Sequence, residues 1–270
     1  MIMLKKISLA VCTLVSTLVL LSSTVMASDS TYVFSKSDLY DTVKNAVLSH
    51  RERIEITIDD FRITENEVVD ILYKATDLNY QRTSSNINTA WCDGFSVNWT
   101  KNSNGYIISL TVKPQYNATV KEDEAADHFC KKWVGIYLED VDDDFEKVEI
   151  MHDWLVQNIA YTPSLDSNGQ YIYRNAITGI LDGVGVCVSY ATIFQKMCNY
   201  AGIECVTYYD SIPGGRHAWN YVNIDGYWYG VDATYDDPDN GNRVNYDYFL
   251  TTKGHLGKNA PSGIKVHSYY

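Results

Sequence analysis

The sequence predicts an α+β fold, because helical and strand patterns both occur and alternate along the chain. Apolar residues recur every three or four positions from Tyr190 to Ala201, as in a helix, and Gly202 follows at a typical helix end. Because Asp225-Gly226 is a preferred dipeptide of the type I′ turn, a hairpin is predicted around it. The predicted strands of this part of the chain are 203–209, 217–224 and 227–231.

A smaller α+β region is predicted from residue 28 to residue 140, before a second domain at 141–270. Thr64 and Glu67 form a capping box that begins a helix. The other elements expected in this region are a helix at 38–48, a strand at 54–58, a hairpin of 95–99 with 106–112, and a helix at 122–137. A substrate platform, a cell-wall adaptor and a lid are all compatible with such a region.

Three residues of the second domain have the chemistry of a catalytic triad. Cys187, His217 and Asp232 follow one another at intervals of 30 and 15 residues. Cys187 is expected in the first turn of its helix, where unpaired N–H groups and the helix dipole favour a thiolate. The hairpin register brings His217 and Asp232 to the same open end. Each residue alone is compatible with simple packing, but together they predict a nucleophile, a base and an orienting carboxylate.

The motifs around these residues resemble the transglutaminase-like superfamily, in particular its secreted bacterial members. They are Gly-Val-Cys-x-x-Tyr-Ala at 185–191, Ala-Gly-Ile at 201–203, His-Ala-Trp-Asn at 217–220, Asp-Gly-x-Trp-Tyr at 225–229 and Asp-Ala-Thr-Tyr-Asp at 232–236. The resemblance covers roughly residues 143–250. It implies a papain-like core, in which the helix that carries the nucleophile packs on an antiparallel sheet. It also implies Cys187 as nucleophile, His217 as base and Asp232 as the residue that orients the base.

One departure from the family pattern lies beside the cysteine. Members often carry Gln-Gly after the cysteine, where this chain has Val188-Ser189. This difference changes no triad member, but we expect it to alter the wall of the pocket.

The remaining site residues are predicted around the triad. The backbone N–H of Cys187 is one expected oxyanion donor, because the turn before a helix directs it at the attacked carbonyl. Transglutaminase-like sites take a second donor from an upstream side chain, for which Tyr161 and Gln157 are the candidates, with Tyr161 preferred. Aromatic side chains are expected to line the cleft or, alternatively, to fill the core; they are Tyr190, Trp219 and Tyr235. No cofactor and no metal are predicted, since no cysteine pair or histidine cluster has zinc spacing.

The start of the chain predicts export. Lys5 and Lys6 precede an apolar run at 7–21, and Val25-Met26-Ala27 is a small-x-small cleavage signal. Residues 1–27 are therefore predicted to be a signal peptide, and the mature protein to be extracellular or cell-wall associated. Cleavage removes two lysines and no acidic residue, so the formal charge changes from −12 to −14. An acidic protein of this kind repels nucleic acids and anionic membranes, so neither is an expected partner.

Five cysteines remain after this cleavage, and their odd number is compatible with two disulfides and one free thiol. Cys198 with Cys205, and Cys92 with Cys130, are possible pairs that would leave Cys187 free. Five reduced and buried cysteines are the alternative.

Three functions are compatible with the sequence. The favoured one is a secreted cysteine protease or amidase that cleaves peptide or glutamine-type amide bonds through a thioester on Cys187. A transglutaminase would use the same thioester but transfer it to an amine. A non-catalytic binding module of the cell envelope is the third. The expected partners are a protein or peptide substrate and, in addition, cell-wall or envelope components.

Overall fold

The computed structural model describes residues 30–76, 81–82, 92–238, 244–260 and 263–269. The predicted signal peptide at 1–27 lies outside the described residues. Within them, helices pack on sheets whose strands are mostly antiparallel, so the predicted α+β class is confirmed. No helix in this part of the chain has both the length and the apolar character needed to cross a membrane.

The first part of the chain forms a four-stranded sheet covered by two helices. Its elements, with one short strand that joins the second sheet, are β1 (Thr31–Val33), α1 (Lys36–Leu48), β2 (Ile54–Ile58), α2 (Glu65–Ala75), β3 (Gln81–Arg82), β4 (Cys92–Lys101) and β5 (Ile107–Tyr116). The strand order is β1-β2-β5-β4. Strand β1, which the sequence pattern did not reveal, lies parallel to β2 at the sheet edge, and the other neighbours are antiparallel.

Local signals in this part of the sequence agree with the structure. Thr64 and Glu67 exchange the two hydrogen bonds of a capping box at the start of α2, as predicted. The predicted hairpin is β4 with β5, in which Val97 lies opposite Val112. The apolar faces of these elements share one core with α1, so this region buries its own hydrophobic surface.

The second part of the chain is built around the helix that carries Cys187. Its elements are α3 (Val120–Tyr137), α4 (Asp144–Asn158), β6 (Ala160–Tyr161), α5 (Ala176–Leu181), β7 (Val184–Gly185), α6 (Cys187–Tyr200), β8 (Cys205–Ile212), β9 (Gly215–Ile224), β10 (Tyr227–Val231), α7 (His255–Lys258) and β11 (Val266–His267). Helix α6 contacts α3, α4 and α5 as well as strands β8 and β9, and most of its side chains are buried. The helix that carries Cys187 thus packs on a sheet, as expected.

That sheet has the order β11-β10-β9-β8-β3, with β11 parallel to β10 and the other pairs antiparallel. Asp225 and Gly226 have φ angles of 53° and 84°, which a type I′ turn requires at both central positions. Trp228 lies opposite Asn223, within the predicted register. The turn sets the register of β9 with β10, in which Val231 lies opposite Asn220. Asp232 is the first residue after β10.

The domain boundary at residue 140 stays a prediction, but the core of the second part of the chain also includes residues that precede it. Phe129 and Trp133 of α3 belong to the same core as Met151 and Phe194. Helix α3 is therefore part of the second unit, which begins near the capping residue Thr119. The pattern identified the helix but not the core that it joins, because an amphipathic period does not specify a packing partner.

A buried ion pair also joins α3 to the nucleophile helix. The Lys196 ammonium is fully buried and lies 3.0 Å from Asp123 and 2.7 Å from Asp127. Burial raises the pKa of Asp123 to about 6, although the nearby Lys196 opposes this shift. A buried charge is tolerated only when it is paired, so α3 supplies counter-ions that α6 requires.

The described cysteines are all free and buried, which agrees with the reduced alternative and not with the two disulfides. Burial raises the pKa of Cys130 to about 12, and burial together with the neighbouring Cys205 raises that of Cys198 well above its usual value. These thiols are therefore protonated at neutral pH and have the character of small apolar side chains.

Candidate active site

Cys187 is the first residue of α6, as the sequence predicted. Its helix has no side-chain cap, so no capping side chain accepts from the N–H groups of the first turn. Gly183 makes the bend before it with a φ of 66°. Gly185 is required for a different reason. A side chain at this position would place its Cβ atom 2.7 Å from the Cβ atom of Ser189, which is too close.

Ser189, one of the two residues at which the chain departs from the family pattern, anchors the turn. Its hydroxyl donates to the backbone carbonyl of Tyr173 at 2.9 Å, and the N–H of Val186 donates to the same oxygen at 2.9 Å. The segment before α5 is thereby tied to the start of the nucleophile helix on both sides of Cys187.

His217 and Asp232 form a short hydrogen bond at the open end of the hairpin. Nε2 of His217 lies 2.7 Å from Oδ2 of Asp232, and both side chains are buried. The other oxygen, Oδ1, accepts from the backbone N–H groups of Thr234 at 3.1 Å and Tyr235 at 3.2 Å. The remaining imidazole nitrogen, Nδ1, is available to the sulfur of Cys187, with which His217 also forms a hydrogen bond.

The protonation of this pair follows from its contacts. Burial by itself would lower the pKa of His217, but the hydrogen bonds with Asp232 and Cys187 raise it to about 10. Burial would likewise raise the pKa of Asp232, whereas hydrogen bonds from His217 and His255 hold it below its usual value. At neutral pH, His217 is therefore an imidazolium and Asp232 a carboxylate.

These groups lie at an open cleft of about 340 Å³. Its lining residues are Tyr161, Tyr171, Cys187, Ile212, Pro213, Gly214, Gly215, Arg216, His217, Thr234, Tyr235 and Asp237. Tyr161, the preferred second oxyanion donor, lies opposite Gly185 in the β6–β7 pair. Burial raises the pKa of Tyr161 to about 12, so its hydroxyl remains protonated and able to donate. Gln157 is not a lining residue.

Two of the three aromatic residues predicted to line the cleft are in the core instead. Tyr190 is 1% exposed, and its hydroxyl donates to the carbonyl of Ile159 at 3.0 Å and to Asp237 at 2.6 Å. Trp219 is also 1% exposed and stacks behind His217, with ring centroids 5.8 Å apart. Tyr235, at 41% exposure, does line the cleft and stacks on His217 at 4.8 Å. For Tyr190 and Trp219, the predicted wall position is wrong, because helical and strand periods direct them inward.

His255 is a site residue that the sequence reasoning missed. Its Nε2 lies 2.9 Å from the same Asp232 oxygen that His217 contacts. It belongs to α7, a helix of four residues, which gives no periodic pattern from which to place it. The only indication in the sequence is the residue type. A histidine that follows Asp232 along the chain is a candidate partner of that carboxylate.

The same three side chains, His217, Asp232 and His255, are of types that can bind a metal ion. Among the described residues, His217, Asp232 and His255 place their ligand atoms within 4.8 Å of one another. Their N···O separations are 2.7 Å for His217 and 2.9 Å for His255, and the first is a hydrogen bond. Zinc ligands about 2.0–2.2 Å from a shared ion would be roughly 3.3 Å apart, so these three residues are closer together than a zinc site requires.

The chain is similar to several known proteins. The sequence profile of the Transglutaminase-like superfamily matches residues 131–233. Kyphoscoliosis peptidase from Mus musculus is 29% identical and the human (Homo sapiens) protein 31% identical, each match covering 38% of this chain. The chain spans 17% of the length of these relatives. A crystal structure of a TGase is 15% identical to this chain, with a TM-score of 0.38. The alignment covers 85% of this chain and 65% of the TGase chain.

The profile match includes Cys187, His217 and Asp232 and most of the helices and strands that position them. Residues 131–233 of this chain are therefore similar to the Transglutaminase-like superfamily, and they contain the three residues that the sequence motifs pointed to.

Proposed function

We propose that the protein is a thiol-dependent acyl-transfer enzyme that hydrolyses peptide or glutamine-type amide bonds. The observation that carries this proposal is the contact of His217 with both Cys187 and Asp232 at the edge of an open cleft. A buried imidazolium with a carboxylate on one nitrogen and a thiol on the other is the arrangement of a cysteine nucleophile and its base.

In the first step, the Cys187 thiolate attacks the amide carbonyl carbon and forms a tetrahedral intermediate. The negative oxygen is stabilised by the backbone N–H of Cys187 and by the Tyr161 hydroxyl. The C–N bond then breaks, and the leaving nitrogen takes the proton of the His217 imidazolium. An amine departs, and a thioester remains on Cys187.

In the second step, neutral His217 takes a proton from water, and the resulting hydroxide attacks the thioester carbonyl. The C–S bond breaks and releases the carboxylic acid product. The thiolate and the imidazolium are restored. Asp232 keeps the imidazole in the orientation and tautomer that both proton transfers require.

Transamidation by an amine is the second candidate, because the thioester is common to both reactions. We favour hydrolysis because the cleft is open, so water reaches the thioester directly, and because no site for an acceptor amine is recognisable in the lining described above.

Mass spectrometry distinguishes these functions. The purified protein is incubated with casein, with and without a biotinylated pentylamine, and Cys187→Ala serves as the control. Hydrolysis predicts new peptide ends or a mass increase of about 1 Da at glutamine, unchanged in yield by the amine. Adducts at glutamine would establish transamidation, and no product from the wild type would favour a binding module.

A short hairpin beside the cleft favours substrates that carry an apolar side chain. In this rim hairpin (residues 164–172), Leu165 bridges Tyr171, and Ile172 donates to the carbonyl of Ser164 at 2.9 Å. Leu165, Tyr171 and Ile172 are all exposed, although they are large and apolar. Exposed apolar side chains next to a cleft are typical of a binding surface, so we propose peptides with a large apolar residue near the cleaved amide.

Replacing Tyr171 with alanine is expected to raise KM about tenfold for peptides with a large apolar residue near the cleaved bond. Glycine at that peptide position should remove most of the difference, because there is then no side chain to contact the ring. Tyr32→Ala, at an exposed tyrosine of β1, is the matched control. Equal losses for both peptides, or a KM unchanged in Tyr171→Ala, would contradict the role of the hairpin.

We also propose that the protein is exported, on the basis of the charged start, apolar run and small-residue site at 1–27. N-terminal sequencing of protein from the culture supernatant is expected to give a sequence that begins close to Ser28. Recovery only from membranes, with residues 1–27 still attached, would instead show that the apolar run is an anchor.

A further inference from the structure

We propose that His255 is a positioning residue of the triad, which holds the Asp232 carboxylate through Oδ2 while His217 binds the same oxygen. This inference rests on the proposed function of Cys187 and His217. His255 lies 22 residues beyond the matched segment 131–233, so the match does not account for it.

The contacts of Asp232 leave its carboxylate little freedom to rotate. Oδ2 lies 2.7 Å from Nε2 of His217 and 2.9 Å from Nε2 of His255. Oδ1 accepts the two backbone N–H groups of Thr234 and Tyr235. Because Oδ1 accepts two backbone N–H groups and Oδ2 binds His217 with His255 2.9 Å away, rotation of the carboxylate away from His217 would disturb contacts at both oxygens. Among the four groups that contact the carboxylate in these sentences, two are side chains. They are His255 and the proposed base, His217.

The His255 ring is held by aromatic side chains on several elements. It stacks on Tyr248 with centroids 5.7 Å apart, and it meets Trp219 edge-on at 4.7 Å and Tyr235 at 5.1 Å. The titratable groups that face it are His217, Asp232, Tyr235 and Tyr248. Asp232 is the acid among these four, and the aromatic neighbours hold the imidazole with its Nε2 atom 2.9 Å from that carboxylate.

The charge of Asp232 gives His255 a chemical role beyond packing. A fully buried carboxylate favours its neutral form unless donors compensate for the lost solvent. His217 and His255 are the two side chains that lower the pKa of Asp232. Without His255, ionised Asp232 is less stable, the His217 imidazolium loses support, and the Cys187 thiolate forms only at higher pH.

The test measures the rate of Cys187 alkylation by iodoacetamide from pH 4 to pH 9, in the presence of EDTA. This rate follows the thiolate and needs no substrate. The full mature chain is used as wild type, His255→Phe, His255→Gln and Leu256→Val. Phenylalanine keeps the ring contacts without a donor, and glutamine can return an N–H close to the position of Nε2. Leu256→Val, at the fully buried next residue, perturbs the same helix without changing the donor.

We expect the acid limb of the alkylation profile to move up by about one pH unit in His255→Phe. Most of that shift should be reversed in His255→Gln. Leu256→Val should lower the melting temperature but keep the wild-type profile. If a peptide substrate is in hand, kcat in His255→Phe should fall about 10- to 100-fold with KM nearly unchanged.

Several results would overturn the inference. A His255→Phe profile equal to that of the wild type would show that the donor is irrelevant, and a shift to lower pH would show that His255 competes with His217. Equal shifts in His255→Phe and Leu256→Val would reduce the role to packing. Failure of the proposed function is distinguishable, because wild-type Cys187 would then show the profile of an ordinary thiol, with little reaction below pH 7.

Discussion

Replacing Cys187 with alanine is expected to abolish amide cleavage and leave the protein folded. The thiolate makes the only covalent bond between the protein and the substrate in the proposed reaction, so no other group can take its place. The substitution removes one sulfur atom from the edge of an open cleft, which costs little packing. Activity on a peptide substrate should fall to background, while the melting temperature changes by less than about 5 °C.

Selective alkylation provides the positive counterpart of this experiment. Iodoacetamide at neutral pH should modify Cys187 much faster than the other described cysteines. Cys130 and Cys198 are buried thiols with raised pKa values, so they are internal controls in the same sample. Labelling of all three at similar rates would contradict an activated Cys187, as would residual turnover in Cys187→Ala.

Changing Asp232 to asparagine is expected to lower kcat/KM by roughly 10²- to 10⁴-fold without loss of the fold. The amide keeps the shape of the side chain, but it cannot stabilise the His217 imidazolium and can favour the wrong tautomer. His217→Ala should cost as much activity as Cys187→Ala, because members of a triad act as a unit. The comparison uses peptide hydrolysis and circular dichroism of the three variants.

The matched control for this series is Asp236→Asn. Asp236 is also a buried aspartate, but it binds His152 at 3.2 Å and the backbone N–H of Tyr248 at 2.9 Å, away from the cleft lining. Its substitution should lower stability more than activity. If Asp232→Asn retained nearly full activity, a different acid would have to orient His217, and Asp236 would be the next residue to examine.

Local sequence signals specified the catalytic segment well. Asp225-Gly226 requires positive φ angles that few other dipeptides adopt easily, so the turn and the strand register followed from two residues. The period of α6 and the glycine after it were equally local. Because the triad residues lie on these elements, their proximity was predictable; their catalytic roles are what the experiments above test.

Features that depend on distant parts of the chain were not predictable in this way. The amphipathic pattern of α3 does not state which core it joins, and the inward direction of Tyr190 depends on helices that pack around α6. His255 reaches Asp232 only because the chain returns after β10 to a helix of four residues. Such contacts are set by tertiary packing, for which a single sequence gives no periodic signal.

The Lys196 ion pair determines how short a working version of this protein can be. A fragment that begins at residue 131, where the family match starts, lacks both carboxylates that neutralise the buried ammonium. Leaving that charge uncompensated costs about 3–5 kcal/mol, which is comparable with the whole stability of a small domain. Truncation for expression or crystallisation should therefore retain Thr119, the capping residue of α3, so the smallest fragment expected to fold by itself extends upstream of the segment that sequence similarity delimits.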